Sequence, residues 1–223
     1  MTKVVKNTDQ QKPQLRVTLF TDYICPFCFI GDLRLQHLQD DYEVLVNFRF
    51  IEIHPDTPEQ GTTVDDLDYS DEQWQGMMDG LVEMAQEEGI SLAPVRMLAN
   101  SHRALLLAEA VKQEGREVFY KFNQALYREY FIAGRNIGDI EVLDDIARTS
   151  GVSGEVIEKA CNDKQYEKIL KMNMSMAVKA GVTATPTFFI GQHRLTGAVS
   201  ESKLRQAAEA AIADRKKKQE SSS

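Results

Sequence analysis

The chain is poor in cysteine, with three in 223 residues, and that scarcity excludes a scaffold built on disulfides. It is also short of cations. Lys and Arg total 26 against 34 Asp and Glu, a formal charge of -8, whereas a protein that coats nucleic acid or an anionic membrane needs a cationic field. Long apolar runs are missing too: the richest, LLLAEAV at 105–111, falls well below the roughly 20 residues that cross a bilayer. The opening MTKVVKNTDQQKPQLRV has no apolar core of signal-peptide length, so a cytoplasmic protein is expected. What remains, 43% hydrophobic and 27% charged residues, is an ordinary globular composition at a length suited to one domain, or one domain carrying a large insertion.

Hydrophobic patterning divides the chain in three. Leu15, Val17, Leu19 and Phe20 predict a strand entering Thr21-Asp22-Tyr23-Ile24 and then Cys25-Pro26-Phe27-Cys28. Ile30, Leu33, Leu35 and Leu38 predict a partly buried helix from Cys25 onward. The Val- and Phe-rich run 44–53, closed by Pro55 and Pro58, predicts a second strand. The result is a β-α-β unit with two cysteines at the head of its helix.

The middle is helical throughout, with no strand expected. Trp74, Met77, Met78, Leu81, Met84 and Ala85 share one face behind Ser70, whose spacing to Gln73 fits a capping box. Asn100 is the expected cap of a helix through Leu105, Leu107, Ala108 and Val111 that Gly115 ends, and Val118, Phe119, Phe122, Leu126 and Tyr130 continue at helical spacing. Asp139 and Ser153 head two shorter helices. Tyr166, Ile169, Leu170, Met174, Ala177 and Val178 form the apolar face of another, stopped by Gly181.

β character returns over 182–190, with a Gly191-Gln192 turn and a short partner strand through Arg194 and Leu195. Ser200 heads a last helix with Leu204, Ala207, Ala208, Ala211 and Ile212, and 216–223 has nothing to bury and reads as a frayed tail. The expected domain plan is therefore a sheet domain of 13–62 and 178–214, a helical insertion over 63–177, and a disordered tail at 215–223.

Cysteines three apart at a helix start are neighbours able to cycle between dithiol and disulfide. Cys25, at the N-terminus, sits where unpaired N–H groups and the helix dipole favour a thiolate, so it is the expected nucleophile and Cys28 the resolving thiol. Pro26 suits the first turn, where its missing N–H is no loss. A structural zinc site would need four ligands, and beyond the pair only Cys161 and four scattered His remain, so no metal is expected. Ala184-Thr185-Pro186-Thr187 supplies a second element: a proline in a strand deletes a ladder hydrogen bond, and a cis bond at a tight bend is one way to seat it, leaving the Thr185 backbone beside Cys25 for a substrate chain. An edge-strand trans proline is the alternative.

FTDYICPFCFIGDLRL, FRFIEIHPDTPEQG, and GVTATPTFFIG with the following TGAVSESKL resemble the thioredoxin-fold DsbA-like family, and within it the cytosolic FrnE-like dithiol-disulfide isomerase branch, over about 15–212. The resemblance implies an α/β thioredoxin-like fold with a large all-helical insertion. It also implies Cys25 and Cys28 as the redox pair, Pro186 as a cis-proline, and Pro26, Phe27, Thr185 and Pro186 along the substrate path. Family members more often carry Trp and Tyr where this chain has Phe27 and Phe29. Related kappa-class glutathione transferases and 2-hydroxychromene-2-carboxylate isomerases carry serine at the position of Cys25 and a Ser-Asp pair where this chain reads Gly197-Ala198-Val199-Ser200. They supply the rival function, a glutathione-dependent isomerase or transferase, beside a non-enzymatic holdase.

The expected function is thiol-disulfide exchange on protein or small-molecule disulfides. No bound cofactor is needed, glutathione or another thiol is the co-substrate, and the protein is a monomer or homodimer. Phe27 adds no cation beside Cys25, so an intermediate potential is expected within the wide span of about -270 to -120 mV. Asp22 has two candidate roles, proton acceptor for Cys28 or cap of the turn, with capping favoured. Cys161 reads as a small buried residue, His54 as a turn residue near the site, and His37 and His102 as uncommitted. No Lys or Arg occurs between Glu52 and Glu88, an acidic stretch read as a solvated face that would favour basic substrates if it borders the cleft. Met77, Met78, Met84 and Met97 with Trp74 read as helix core, with an adaptable wall for client segments as the alternative.

Overall fold

The structure is a computed structural model and describes residues 12–67, 69–94 and 97–221. Strand β1 (Gln14–Thr21) buries Leu15, Val17, Leu19 and Phe20 and runs at the centre of a four-stranded sheet. The chain then enters α1 (Pro26–His37) with Cys25 as its extended N-cap and Pro26 at the first helical position, as the sequence indicates. β2 (Glu43–Phe50) returns parallel to β1, pairing Gln14 with Glu43 through Thr21 with Phe50. It stops before Ile53, short of the expected end, because the Ile53 N–H is taken by the Asp22 side chain rather than by a strand.

At the other end of the chain, β5 (Thr187–Ile190) pairs antiparallel with β1, and β6 (His193–Thr196) with β5, giving the order β2-β1-β5-β6. The expected strand over 182–190 is halved. Gly181 turns the chain at φ +66°, and Pro186, which has no N–H to give a ladder, stands just outside the strand instead of within it. Register does the positioning: Phe20 faces Thr187, so Pro186 comes opposite the end of β1, where the cysteine segment begins.

Between β2 and β5 lie β3 (Thr62–Thr63), α2 (Asp71–Glu87), β4 (Met97–Leu98), α3 (His102–Val111), α4 (Arg116–Phe131), α5 (Ile140–Thr149), α6 (Gly154–Asn162) and α7 (Lys164–Lys179). The block is not purely helical, since β3 and β4 pair as a two-residue ribbon, Thr62 with Leu98 and Thr63 with Met97, a piece too short to leave a period in the sequence. Ser70 and Gln73 close the capping box on α2, and Asp139 and Ser153 cap α5 and α6 through their side chains. The N-cap of α3 is Ser101 rather than Asn100, although Asn100 Oδ1 still accepts the first-turn His102 N–H at 2.9 Å. Gly115, at φ +93°, separates α3 from α4 as expected.

The buried side chains of these helices share one core with the sheet: Leu19, Phe29, Phe48 and Phe50 pack with Leu105, Phe122 and Tyr127. Phe29 stacks on both Tyr127 and Phe131 at centroid distances of 5.4 and 5.9 Å, and burying each such ring contributes about 1.5–3 kcal/mol. On α7 the apolar face is narrower than its pattern suggests. Tyr166, Leu170 and Ala177 are buried, whereas Met174 and Val178 are exposed, Val178 by 71%, because Asn173 takes the central inward position. α8 (Glu201–Glu220) also departs from expectation, as the helix continues through most of the stretch read as a frayed tail. Its Lys and Ala residues are strong helix formers, and the side chains at 216–220 are exposed, which is why no burial pattern marks them.

Candidate active site

β1 ends at the buried Thr21, the buried Asp22 follows, and a turn closed by Cys25 N–H to Asp22 O (3.3 Å) delivers Cys25 to the head of α1. Cys25 and Cys28 are both free thiols and lie 3.3 Å apart. Cys25 is 6% exposed and Cys28 fully buried, so the first thiol is the one a substrate can reach. The Cys28 thiol donates to the Cys25 sulfur, and together with a hydrogen bond from Thr185 this holds Cys25 below the usual thiol range. Burial pushes Cys28 well above it. The environments of the two thiols are thus split in the sense that nucleophile and resolving thiol require.

Opposite Cys25 stands the loop before β5. The Cys25 thiol reaches the Thr185 carbonyl at 3.6 Å, and the Thr185–Pro186 peptide is cis. Thr187 Oγ1 donates to Ala184 O at 2.6 Å and Gly197 N–H to Pro186 O at 2.7 Å, fixing the loop from both sides. Pro186 itself is buried, Thr185 half-buried, and Ala184 exposed. Pro26 and Phe27 are half-buried, and Phe27 packs with Ile30 against Met78, Leu81 and Met84 of α2. The acidic, methionine-bearing helix therefore borders the cysteine pair. Of the methionine set, Met97 is away on β4 and 36% exposed.

Several site residues have little or no mark in the sequence. Gly31, one turn beyond Cys28, has Pro186 Cγ and Phe188 Cζ each 2.9 Å from where a Cβ would stand, so the close approach of the loop to α1 requires glycine there. Its spacing, C-x-x-C-x-x-G on one helix face, is the one signal that sequence carried for it. Thr21 Oγ1 and Tyr127 OH are 2.8 Å apart beside Cys28, and Tyr23 OH donates to Asn123 Oδ1 at 2.9 Å. Asn123 in turn donates to Asp32, whose pKa burial raises to about 6. These partners lie about a hundred residues apart in sequence, which no local pattern exposes.

Asp22 caps the turn, the favoured of the two roles weighed for it, and holds two further donors. Its Oδ1 accepts the Ile24 N–H at 3.3 Å, a turn cap, while Oδ2 accepts Ile53 N–H at 2.9 Å and Ser101 Oγ–H at 3.1 Å. It is fully buried, and desolvation pushes its pKa up to about 7, against the lowering effect of those hydrogen bonds. Its own N–H faces the Cys28 sulfur, and its charge bears on Cys25. His54 is half-buried with a pKa lowered by burial, in a cleft with Pro55, Thr57 and Leu98. His37 bonds Glu201 at 2.8 Å, far along α1 from the cysteines. Cys161 falls in α6, and its side chain lies outside the described residues. Among the described residues, no group of three His, Cys, Asp or Glu is arranged to hold a metal, and no helix is long and apolar enough to cross a membrane.

Comparison with known proteins agrees with this fold. A family model described as a DSBA-like thioredoxin domain matches residues 16–209. An uncharacterized protein of Bacillus subtilis, YwbO, is 25% identical over 205 residues, covering 92% of this chain and 98% of its own. Among solved structures, a probable DsbA oxidoreductase of Streptomyces coelicolor superposes with a TM-score of 0.78 at 24% identity, covering 89% of this chain and 90% of its own. A 2-hydroxychromene-2-carboxylate isomerase superposes with a TM-score of 0.68 at 18% identity, covering 93% and 99%.

Proposed function

The chain belongs to the DSBA-like thioredoxin domain family, and we propose that it is a thiol-disulfide oxidoreductase of the FrnE-like branch, acting as an isomerase or reductase on disulfide-containing proteins or small molecules. The observation that carries this reading is the pair of free thiols 3.3 Å apart, one reachable and acidified, the other buried, at a helix N-terminus beside Thr185 and Pro186.

In the proposed cycle the Cys25 thiolate attacks one sulfur of a substrate disulfide, and the other sulfur leaves as a thiolate that takes a proton. The Cys28 thiol, losing its proton, attacks Cys25 Sγ and expels the second substrate sulfur. The substrate disulfide is reduced to two thiols and the protein dithiol is oxidised to a disulfide. Two molecules of a thiol such as glutathione then restore the dithiol by the reverse exchange and leave joined as their own disulfide. Cys28 gives up its proton only when attack is under way, because burial disfavours its free thiolate. Asp22, whose own N–H faces the Cys28 sulfur, carries a buried carboxyl that changes charge near neutrality, and we assign it as the group that takes up this proton. The Thr185 and Pro186 loop offers backbone to a bound chain, with Pro26 and Phe27 on the other side of Cys25.

The same proposal places the protein in the cytoplasm, where the glutathione pool would keep it reduced and set it to work as reductase or isomerase. A kappa-type transferase would need no second thiol, and a holdase would need neither. Incubating the Cys28→Ser variant with a disulfide substrate and separating products without reductant tests the reading: mixed disulfides through Cys25 support it, and their absence with turnover intact refutes it.

A further inference from the structure

One of the two histidines that sequence left uncommitted, His102, is the first residue of α3 and stands between two carboxylates, with Nδ1 3.2 Å from Glu52 and Nε2 2.8 Å from Glu167. Its neighbours in sequence and across the contact are both on Asp22. Ser101, the residue before it, donates its hydroxyl to Asp22 Oδ2, and Ile53, the residue after Glu52, donates its N–H to the same oxygen. The two segments that hold the buried carboxylate are therefore stapled together one residue away, by the His102–Glu52 pair.

We infer that His102 is a positioning residue for the redox site, holding the Ser101 and Ile53 donors on Asp22 and cancelling the charge of Glu52, so that the protonation of Asp22 is set from the helical segment. The inference rests on the exchange reading above only for its consequence at Cys25.

The electrostatics supply the direction. Glu52 is a carboxylate whose charge raises the proton affinity of Asp22. The two glutamates in turn hold His102 cationic, with its pKa raised to about 9. Besides Glu52, Asp22 faces Cys25, Tyr23 and Tyr130, with the Cys28 sulfur against its own N–H. His102 faces Glu52 and Glu167 and lines clefts with Arg103, Glu59 and Asp144. With His102 charged, Glu52 is neutralised as a pair and acts on Asp22 weakly. Without that charge, the full repulsion of Glu52 falls on Asp22. At a separation of several ångströms and a surface-like dielectric, such a change amounts to about half a pH unit to one unit.

The test is a titration of Asp22 in the reduced full-length protein, labelled with aspartate carrying 13C at the carboxyl, the Asp22 resonance being identified by its loss in Asp22→Asn. His102→Gln keeps hydrogen-bonding capacity and removes the charge, and it is expected to raise the Asp22 midpoint by about half a unit to one unit. Glu52→Gln removes the repulsion and is expected to lower it. Opposite displacements are the signature, since mere loosening of the staple would move both midpoints the same way. Unmoved midpoints, or shifts of one sign in both variants, overturn the inference. If His102→Gln does not fold, Glu52→Gln alone decides, and an unmoved or raised midpoint refutes it. The pH profile of Cys25 alkylation, measured alongside, separates the two levels: displaced midpoints with an unchanged profile sustain the role of His102 and reject the assignment of Asp22 to the exchange reaction.

Discussion

Gly31 and Pro186 are in contact across the site: a Cβ added at Gly31 would stand 2.9 Å from Pro186 Cγ and the same distance from Phe188 Cζ. The absence of one methyl group on α1 thus lets the Thr185 and Pro186 loop close on Cys25.

Gly31→Ala should therefore destabilise the protein by about 1–3 kcal/mol, the range for overfilling a packed site, although alanine is the better helix former. It should also draw Thr185 from Cys25, raising the thiol pKa and slowing Cys25 alkylation at neutral pH. Gly80, on α2, has nothing within 4 Å of its added Cβ, and Gly80→Ala should stabilise by roughly 0.5–1 kcal/mol. Urea unfolding of the two variants checks the opposite signs.

Asp22 makes stability depend on pH. Its folded-state pKa of about 7 lies above the ordinary 3.8, so the folded state favours the protonated form. That contribution is present in full below about pH 4 and is lost as pH rises through about 7. Asp32, raised to about 6, adds in the same sense. Asp22→Asn cannot ionise, and relative to the parent it should gain up to roughly 4 kcal/mol at about pH 8. The gain should vanish at about pH 4. Denaturant melts of the reduced proteins at both pH values give the comparison, and a constant difference between them would count against a raised carboxyl.

Ser70 caps α2 with both hydrogen bonds of the capping box, at 3.2 Å to Gln73 N–H and 3.0 Å back to its own N–H. Ser70→Ala should cost about 1 kcal/mol of stability. Because only the far end of α2 is touched, the alkylation rate of Cys25 should stay as in the parent.

Much of this was legible from local signals. The strand before Cys25, the proline at the helix start, the Ser70 box and the Asp139 and Ser153 caps all lie within four residues of the features they control, and the structure has them in place. The resemblance of the cysteine and Thr185–Pro186 segments to the DsbA-like family is upheld by the family match. Legibility ended where burial depends on distant chain. The Ile53 and Ser101 donors to Asp22, the Asn123 bond to Asp32 and the His102 clamp join segments 31 to 91 residues apart. Val178 sat on a plausible apolar stripe yet points outward, because a buried Asn173, held by Phe50 O and Glu109, takes the inward position. Helix propensity without burial likewise hid the end of α8.

In the proposed cycle Cys25 and Cys28 form one reversible two-electron couple. Equilibrating the protein in glutathione buffers of graded ratio, trapping the thiols and weighing the products by mass spectrometry tests it directly. A single transition from the dithiol to the Cys25–Cys28 disulfide is expected, with the potential lying within about -270 to -120 mV. Cys25 carrying glutathione with Cys28 still a free thiol, or no disulfide at any ratio, would contradict it.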